Sequence, residues 1–302
     1  MVERVPRRAR AASYNGDMDS VGFVLPTGVA PGVAALAFVE AWMSENCSAK
    51  VTVFGHPALH SLTKRDIRWI DIASPDPRSA MKAALEAPEV RRCYSLGADF
   101  FGNAVASVVS AEPQLLPAGD ARYCAFSLWS RVLGIEDDLC AVDWTAESLV
   151  DGPDILLVPG RSTAAIWADH EWPEDSWLEL AAHPALANIS VGVLTFSDCV
   201  AAIELARLPN IQVVPEDLPL TTLAGVLQGV RAVVATDEGI STFATILGRP
   251  TVLIESAHSR PGWVSRPGCL HHVHPQDGGP LASVTAGAVA DILNKIQVHL
   301  TY

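Results

Sequence analysis

The sequence predicts an α/β chain built as two parallel-sheet domains facing a cleft, and three observations carry that prediction. Short β-branched runs alternate with segments of helical periodicity, the rhythm stalls once near the middle, and it then restarts with the same spacing. Alternating strands and helices bury a parallel sheet between helical layers. A length of 302 residues suits two such units on the usual size of domains.

The elements follow in order. Val21–Leu25, Val51–Phe54, Ile67–Ile72 and Arg92–Leu96 read as strands of the first unit. Residues 136–153, EDDLCAVDWTAESLVDGP, are acidic and end in Gly-Pro, which puts the boundary there: 21–150 as the first domain and 151–302 as the second. The second unit restarts with Ile155–Val158, Ile189–Thr195, Ile211–Val214, Ala232–Ala235 and Thr251–Ile254, each separated by one helix. Both units read as Rossmann-like, with ligands expected beyond the carboxyl ends of their strands. Residues 1–20 are expected to be a flexible tail whose arginines, Arg4, Arg7, Arg8 and Arg10, are solvated. The apolar run Val21–Met43 carries only Glu40, yet Pro26, Pro31, Gly22, Gly28 and Gly32 break it into strand, glycine loop and helix rather than a membrane span.

Composition narrows the function classes. Lys and Arg number 21 against 34 Asp and Glu, a formal charge of −13, so a surface that tracks nucleic-acid phosphate is not expected. Six cysteines, at 47, 93, 124, 140, 199 and 269, are scattered without a Cys-x-x-Cys, the pattern of a reducing compartment, and the expected location is cytoplasmic.

The most chemistry-bearing pattern is 231–255, RAVVATDEGISTFATILGRPTVLIE: strand, acidic-glycine turn, small-residue helix, Gly248-Arg-Pro250, strand. A helix start offers N–H groups without intrahelical partners, and Gly239 admits close approach of a ligand. A diphosphate suits Asp237-Glu238-Gly239-Ile240, with Ser241 and Thr242 as further hydroxyl donors. Upstream, Leu156-Leu-Val-Pro-Gly160-Arg161-Ser162-Thr163 ends a strand in a glycine turn followed by hydroxyls and a cation, again donors for phosphate oxygens, before Trp172-Pro173 and Trp177. Leu194-Thr-Phe-Ser-Asp198 sets a carboxylate at another strand end, where it reads as a ligand of vicinal hydroxyls and as the N-cap of a helix Val200–Leu208, roles that can coexist.

In this order the segments resemble the ADP-heptose glycosyltransferases, the heptosyltransferase family, whose Asp-Ser/Thr-Gly-x-x-His turn and Gly-x-Pro match the 237–250 stretch. The resemblance implies GT-B architecture and an inverting, metal-independent transfer from a nucleotide-diphosphate sugar, ADP-heptose, bound on the second domain, with no cofactor. The acceptor is expected to be a small molecule entering from the first. By resemblance, Gly160, Arg161, Ser162, Thr163, His170, Asp198, Asp237, Glu238, Gly239, Ile240, Ser241 and Thr242 bind the donor. His170 stands where the family has lysine, Glu238 where it has a hydroxyl, and Thr242 where it has histidine.

In the first domain, Leu25-Pro-Thr-Gly28-Val-Ala-Pro31-Gly32 aligns with the family's glycine-rich loop, and Gly32 falls on the aspartate that would serve as general base. Glycine cannot take a proton. Asp99, after the strand Arg92–Leu96, and His56, after Val51–Phe54, are the replacement candidates, Asp99 reading equally as the cap of a helix Phe100–Ser110. Gly32, Glu238 and Thr242 together leave open a non-catalytic nucleotide-sugar-binding or scaffold protein, or another two-domain sugar-nucleotide enzyme such as an epimerase. Cys269, His271, His272 and His274 are not expected to bind metal, because on one extended strand they divide between its two faces and read as a late strand with surface histidines.

Overall fold

A computed structural model describes residues 20–87, 90–97, 99–117, 124–136, 142–147, 152–160, 171–196, 198–255, 262–264, 266 and 268–300. Of the expected tail, only Ser20 falls within them, and it begins the first strand.

The first sheet is built from β1 (Ser20–Val24), β2 (Lys50–Gly55), β3 (Arg68–Asp71), β4 (Val90–Gly97) and β5 (Ser110–Pro117). They run parallel in the order β3-β2-β1-β4-β5. Its helices are α1 (Val29–Glu45), α2 (Pro57–His60), α3 (Pro77–Glu86), α4 (Phe100–Val109) and α5 (Ala125–Leu133). The second sheet comprises β6 (Ile155–Val158), β7 (Val191–Leu194), β8 (Ile211–Val214), β9 (Ala232–Ala235), β10 (Thr251–Ile254) and β11 (Leu270–Val273) in the parallel order β11-β10-β9-β6-β7-β8. Around it lie α6 (Glu174–Ala181), α7 (Val200–Ala206), α8 (Leu220–Gly229), α9 (Glu238–Ile246) and α10 (Ala286–Leu300).

Each sheet reverses its strand order beside its first strand, between β1 and β4 and between β6 and β9. Those reversals are where an open α/β sheet leaves a crevice for ligand. Of the two strands not predicted by β-branched patterning, β5 is an edge strand whose Pro113 and Pro117 cost no ladder partner on the open side. β11 is the late strand of the histidine segment.

The halves are joined by more than a linker. Helix α1 is buried almost all round, from Ala30 to Trp42, and it packs along α9 of the other half. One apolar cluster runs from Phe23, Phe38 and Trp129 in the first half to Leu156, Ala224 and Phe243 in the second. Separate clusters cover the far face of each sheet. The expected boundary falls between the sheets, with 137–141 and 148–151 outside the described residues. Within it the chain is extended, Thr145 N–H donating to Leu62 O at 2.6 Å and Glu147 N–H to Thr221 O at 3.1 Å. Beneath it Gly225 of α8 leaves no room for a side chain, since a Cβ there would stand 1.7 Å from Glu147 O. No helix among the described residues is long and apolar enough to cross a membrane.

Candidate active site

At the second switch point, the ends of β6 and β9 are tied together. Thr236 Oγ1 donates to Gly160 O at 2.7 Å and Thr236 N–H to Val158 O at 3.2 Å. Asp237 packs on Gly160, where a Cβ would come within 2.7 Å of the Asp237 Cβ. The Asp237 carboxylate then caps α9, Oδ1 accepting from Ile240 N–H at 2.7 Å. Gly248, at φ +76°, stops the helix in the left-handed conformation that favours glycine, ahead of Pro250.

In this structure the amide of Ile240 donates to Asp237, and Ser241 Oγ donates to Glu238 O at 3.0 Å. Ile240, Ser241 and Thr242 are all buried. Gly239 remains at the surface of the cleft: a Cβ there would lie 3.8 Å from Ala30 N and 3.9 Å from Val29 Cβ, so the starts of α9 and α1 face each other across it. Both helices present their positive ends to that gap.

Carboxylates crowd the same place. Burial raises the Asp237 carboxyl above its ordinary range, against the lowering effect of the Ile240 and Gly239 amides. Burial, then the charges of Glu255 and Asp237, raises Glu238. Glu255, just past β10, meets His272 Nδ1 at 2.5 Å and His274 Nε2 at 3.9 Å, and the hydrogen bond to Glu255 raises the His272 ring. Ligand atoms of Glu255, His272 and His274 lie within 4.8 Å of one another, a donor set suited to a first-row divalent ion. The third group, Glu255, follows β10, which pairs in register with β11, so it converges on the histidines from a neighbouring strand and not from their own.

Beyond Gly160, a cavity of about 220 Å³ is lined by Pro159, Trp172, Trp177, Asp198, Cys199 and Thr236, among others. Trp172 and Trp177 pack edge to face at 4.8 Å, and Trp172 Nε1 donates to Val284 O at 2.8 Å. The helix cap expected of Asp198 falls instead on Cys199, which makes no side-chain capping bond; its thiol donates to Pro159 O at 2.5 Å. Asp198 is left as an exposed residue on the cavity wall. Arg161, Ser162, Thr163 and His170 lie outside the described residues.

At the first switch point a larger cavity, about 360 Å³, lies beyond β1, β2 and β3. Its wall includes Pro26, Gly28, His56, Leu59 and Phe101, with Leu220 reaching in from α8 of the second half. Of the two base candidates, only His56 lines it. Asp99 caps α4, its Oδ1 accepting from Gly102 N–H at 2.5 Å, and is not among the lining residues. His56 caps α2 with Nδ1, which accepts from Ala58 N–H at 3.2 Å. That bond occupies Nδ1 and leaves Nε2 as the ring nitrogen without a role in the cap. Gly32, where the aspartate was expected, is closed off: a Cβ would stand 2.7 Å from Leu59 Cδ1. Leu59, in a four-residue helix distant in sequence, had no periodic signal to announce it.

Two facing parallel sheets with crevices at both switch points define a GT-B-type glycosyltransferase architecture. The chain belongs to glycosyltransferase family 9 (heptosyltransferase), whose family model matches residues 48–261. Similar solved structures include E. coli heptosyltransferase WaaC with ADP-2-deoxy-2-fluoro heptose, at TM-score 0.70 and 16% identity over 91% of this chain and 99% of that one. The E. coli ADP-heptose lps heptosyltransferase II gives TM-score 0.70 and 14% identity over 94% and 100%. A family 9 glycosyl transferase from Veillonella parvula gives 0.75 and 10% over 94% and 99%. At these identities the likeness is one of fold. No curated protein matches the sequence.

Proposed function

We propose that the chain is an inverting glycosyltransferase that moves a heptose from ADP-heptose, held on the second domain, to a small-molecule acceptor held on the first. The single observation that carries the reading is the meeting of the two switch points: α1 packs along α9, and a Cβ built on Gly239 at the start of α9 would lie 3.8 Å from Ala30 N and 3.9 Å from Val29 Cβ at the start of α1. In this reading the ADP moiety lies on the second-domain side, at the cavity walled by Trp172, Trp177 and Asp198, with Asp198 accepting from ribose hydroxyls. The name of the WaaC complex, which contains an ADP-heptose analogue, supports the donor assignment. We further propose that transfer needs no divalent ion, the diphosphate being met by helix starts.

Direct displacement requires the acceptor oxygen, the anomeric carbon and the leaving phosphate oxygen to lie in line, which two opposed crevices provide. Calorimetry with ADP-heptose, with and without excess EDTA, tests both parts. Equal affinity in the two conditions is expected, and an absolute need for Mg²⁺ or Mn²⁺ would reject the metal-free mechanism. A second reading, a nucleotide-sugar-binding protein without catalysis, is favoured by one observation, the filling of the expected base position by Leu59. Donor binding with neither transfer nor hydrolysis across a broad acceptor panel would select it.

A further inference from the structure

The larger cavity has a chemistry of its own. Among its described lining residues there is no Lys, Arg, Asp or Glu; the polar side chains are Thr27 and His56, set among Leu25, Ile72, Phe101 and Leu220. A phosphorylated or polyhydroxylated sugar would arrive there with its charges and hydroxyls unmatched, and buried polar groups without partners are strongly disfavoured. A volume of about 360 Å³ is that of a site for a compact small molecule.

Among the described lining residues there is no carboxylate to serve as base: Leu59 occupies the place beside Gly32, Asp99 is outside the lining, and His56 already accepts from Ala58 N–H through Nδ1. An aliphatic alcohol, about as weak an acid as water near 15.7, needs a base. A phenol ionises near 10, so at neutral pH it offers roughly 10⁵–10⁶-fold more anion. That gain exceeds the ~10²–10⁴-fold that a positioned base supplies, so a phenol tolerates the missing carboxylate and an alcohol does not.

We infer that the cavity takes an apolar aromatic acceptor carrying its own acidic hydroxyl, a phenol, and that this hydroxyl is the nucleophile. The inference rests on the transferase reading for its donor. The phenol gives its proton to water; the phenolate oxygen bonds to the anomeric carbon as the bond from that carbon to the diphosphate oxygen breaks, and ADP departs with the electron pair. His56 and the start of α1 at Gly28 and Val29 line the same cavity, where the positive end of the helix favours an anionic oxygen.

The test uses the full chain and three probes: ADP, the fluorescent phenol 4-methylumbelliferone, and glucose 6-phosphate. Ala58→Trp fills the cavity from α2 and Ala73→Trp from the loop after β3, so one remains informative if the other fails to fold. The expected result is that the phenol binds the wild-type chain and loses at least tenfold in affinity in both variants, with ADP affinity unchanged. With ADP-heptose present, transfer to the phenol should rise with pH, and its midpoint should move to lower pH when 4-nitrophenol, a stronger acid, replaces it. Binding of glucose 6-phosphate that the tryptophans expel, with no binding of the phenol, would overturn the inference. Phenol binding indifferent to both tryptophans would overturn it as well, as would a pH midpoint that ignores the acceptor's acidity. Failure of ADP alone to bind would reject the transferase reading, while phenol binding lost in the variants would still support the cavity's chemistry.

Discussion

Gly32 and Leu59 form a matched pair, and their coupling is measurable. Gly32→Asp forces a side chain into the space of Leu59 Cδ1 and is expected to destabilise by about 1–3 kcal/mol, the usual cost of overpacking. Leu59, 3% exposed, should cost about 2–5 kcal/mol when cut to alanine. The double variant should be more stable than the sum of the two losses, and denaturant unfolding of the four proteins reads that difference. A strictly additive pair would show that the two residues do not compete for the same space. Glu238 gives a prediction with a sign. Its carboxyl is raised in the folded chain, so folding takes up protons; the ionised group opposes stability, least below the ordinary 4.5 and increasingly as pH rises through the folded value. Glu238→Gln should therefore raise Tm at pH 7.5, with the gain shrinking toward pH 4. A lower Tm at pH 7.5 would mean that the carboxylate has a favourable partner there. At this scale the sequence was readable where a turn declares itself locally, as at Asp237 and Gly248. It was silent where the deciding neighbour is remote, as with Leu59 beside Gly32 or Glu255 beside His272.

Elements with β-branched cores announced themselves: β9 and β10 run Ala232–Ala235 and Thr251–Ile254, as their sequences indicate, because fully buried parallel strands are continuous apolar runs. β5, Ser-Ala-Glu-Pro-Gln-Leu-Leu-Pro, has no such run, and only its pairing with β4 along an open edge makes it a strand. The cap of α7 was misplaced by one residue, because Asp198 and Cys199 are neighbours and only the fold decides which ends the extended stretch. Between elements, the contact of α8 with the extended 142–147 segment is the most sensitive. Gly225→Ala would put a methyl carbon 1.7 Å from Glu147 O, so the segment or the helix must move. A loss of at least about 2 kcal/mol is expected by denaturant unfolding, large for so small a change. A neutral effect would show that the segment is held elsewhere.

Over the whole molecule, the two-domain α/β architecture was legible from the rhythm of strands and helices, whereas the apolar seam joining the halves was not, since α1 has no polar face to hint at one partner over another. Asp198→Ala should weaken ADP binding by about 1–3 kcal/mol, the value of hydrogen bonds to a charged group. A fall in Tm with unaltered affinity would return Asp198 to a structural role. Helix α1 carries a consequence for how such a chain can be shuffled. Phe38 and Trp42 lie in the same cluster as Phe243 and Leu247, so the seam between the halves is a matched surface. Chimeras that graft the first half of one relative onto the second half of another are expected to express poorly unless α1 and α9 come from the same parent, which makes those two helices, 200 residues apart, a single unit of inheritance.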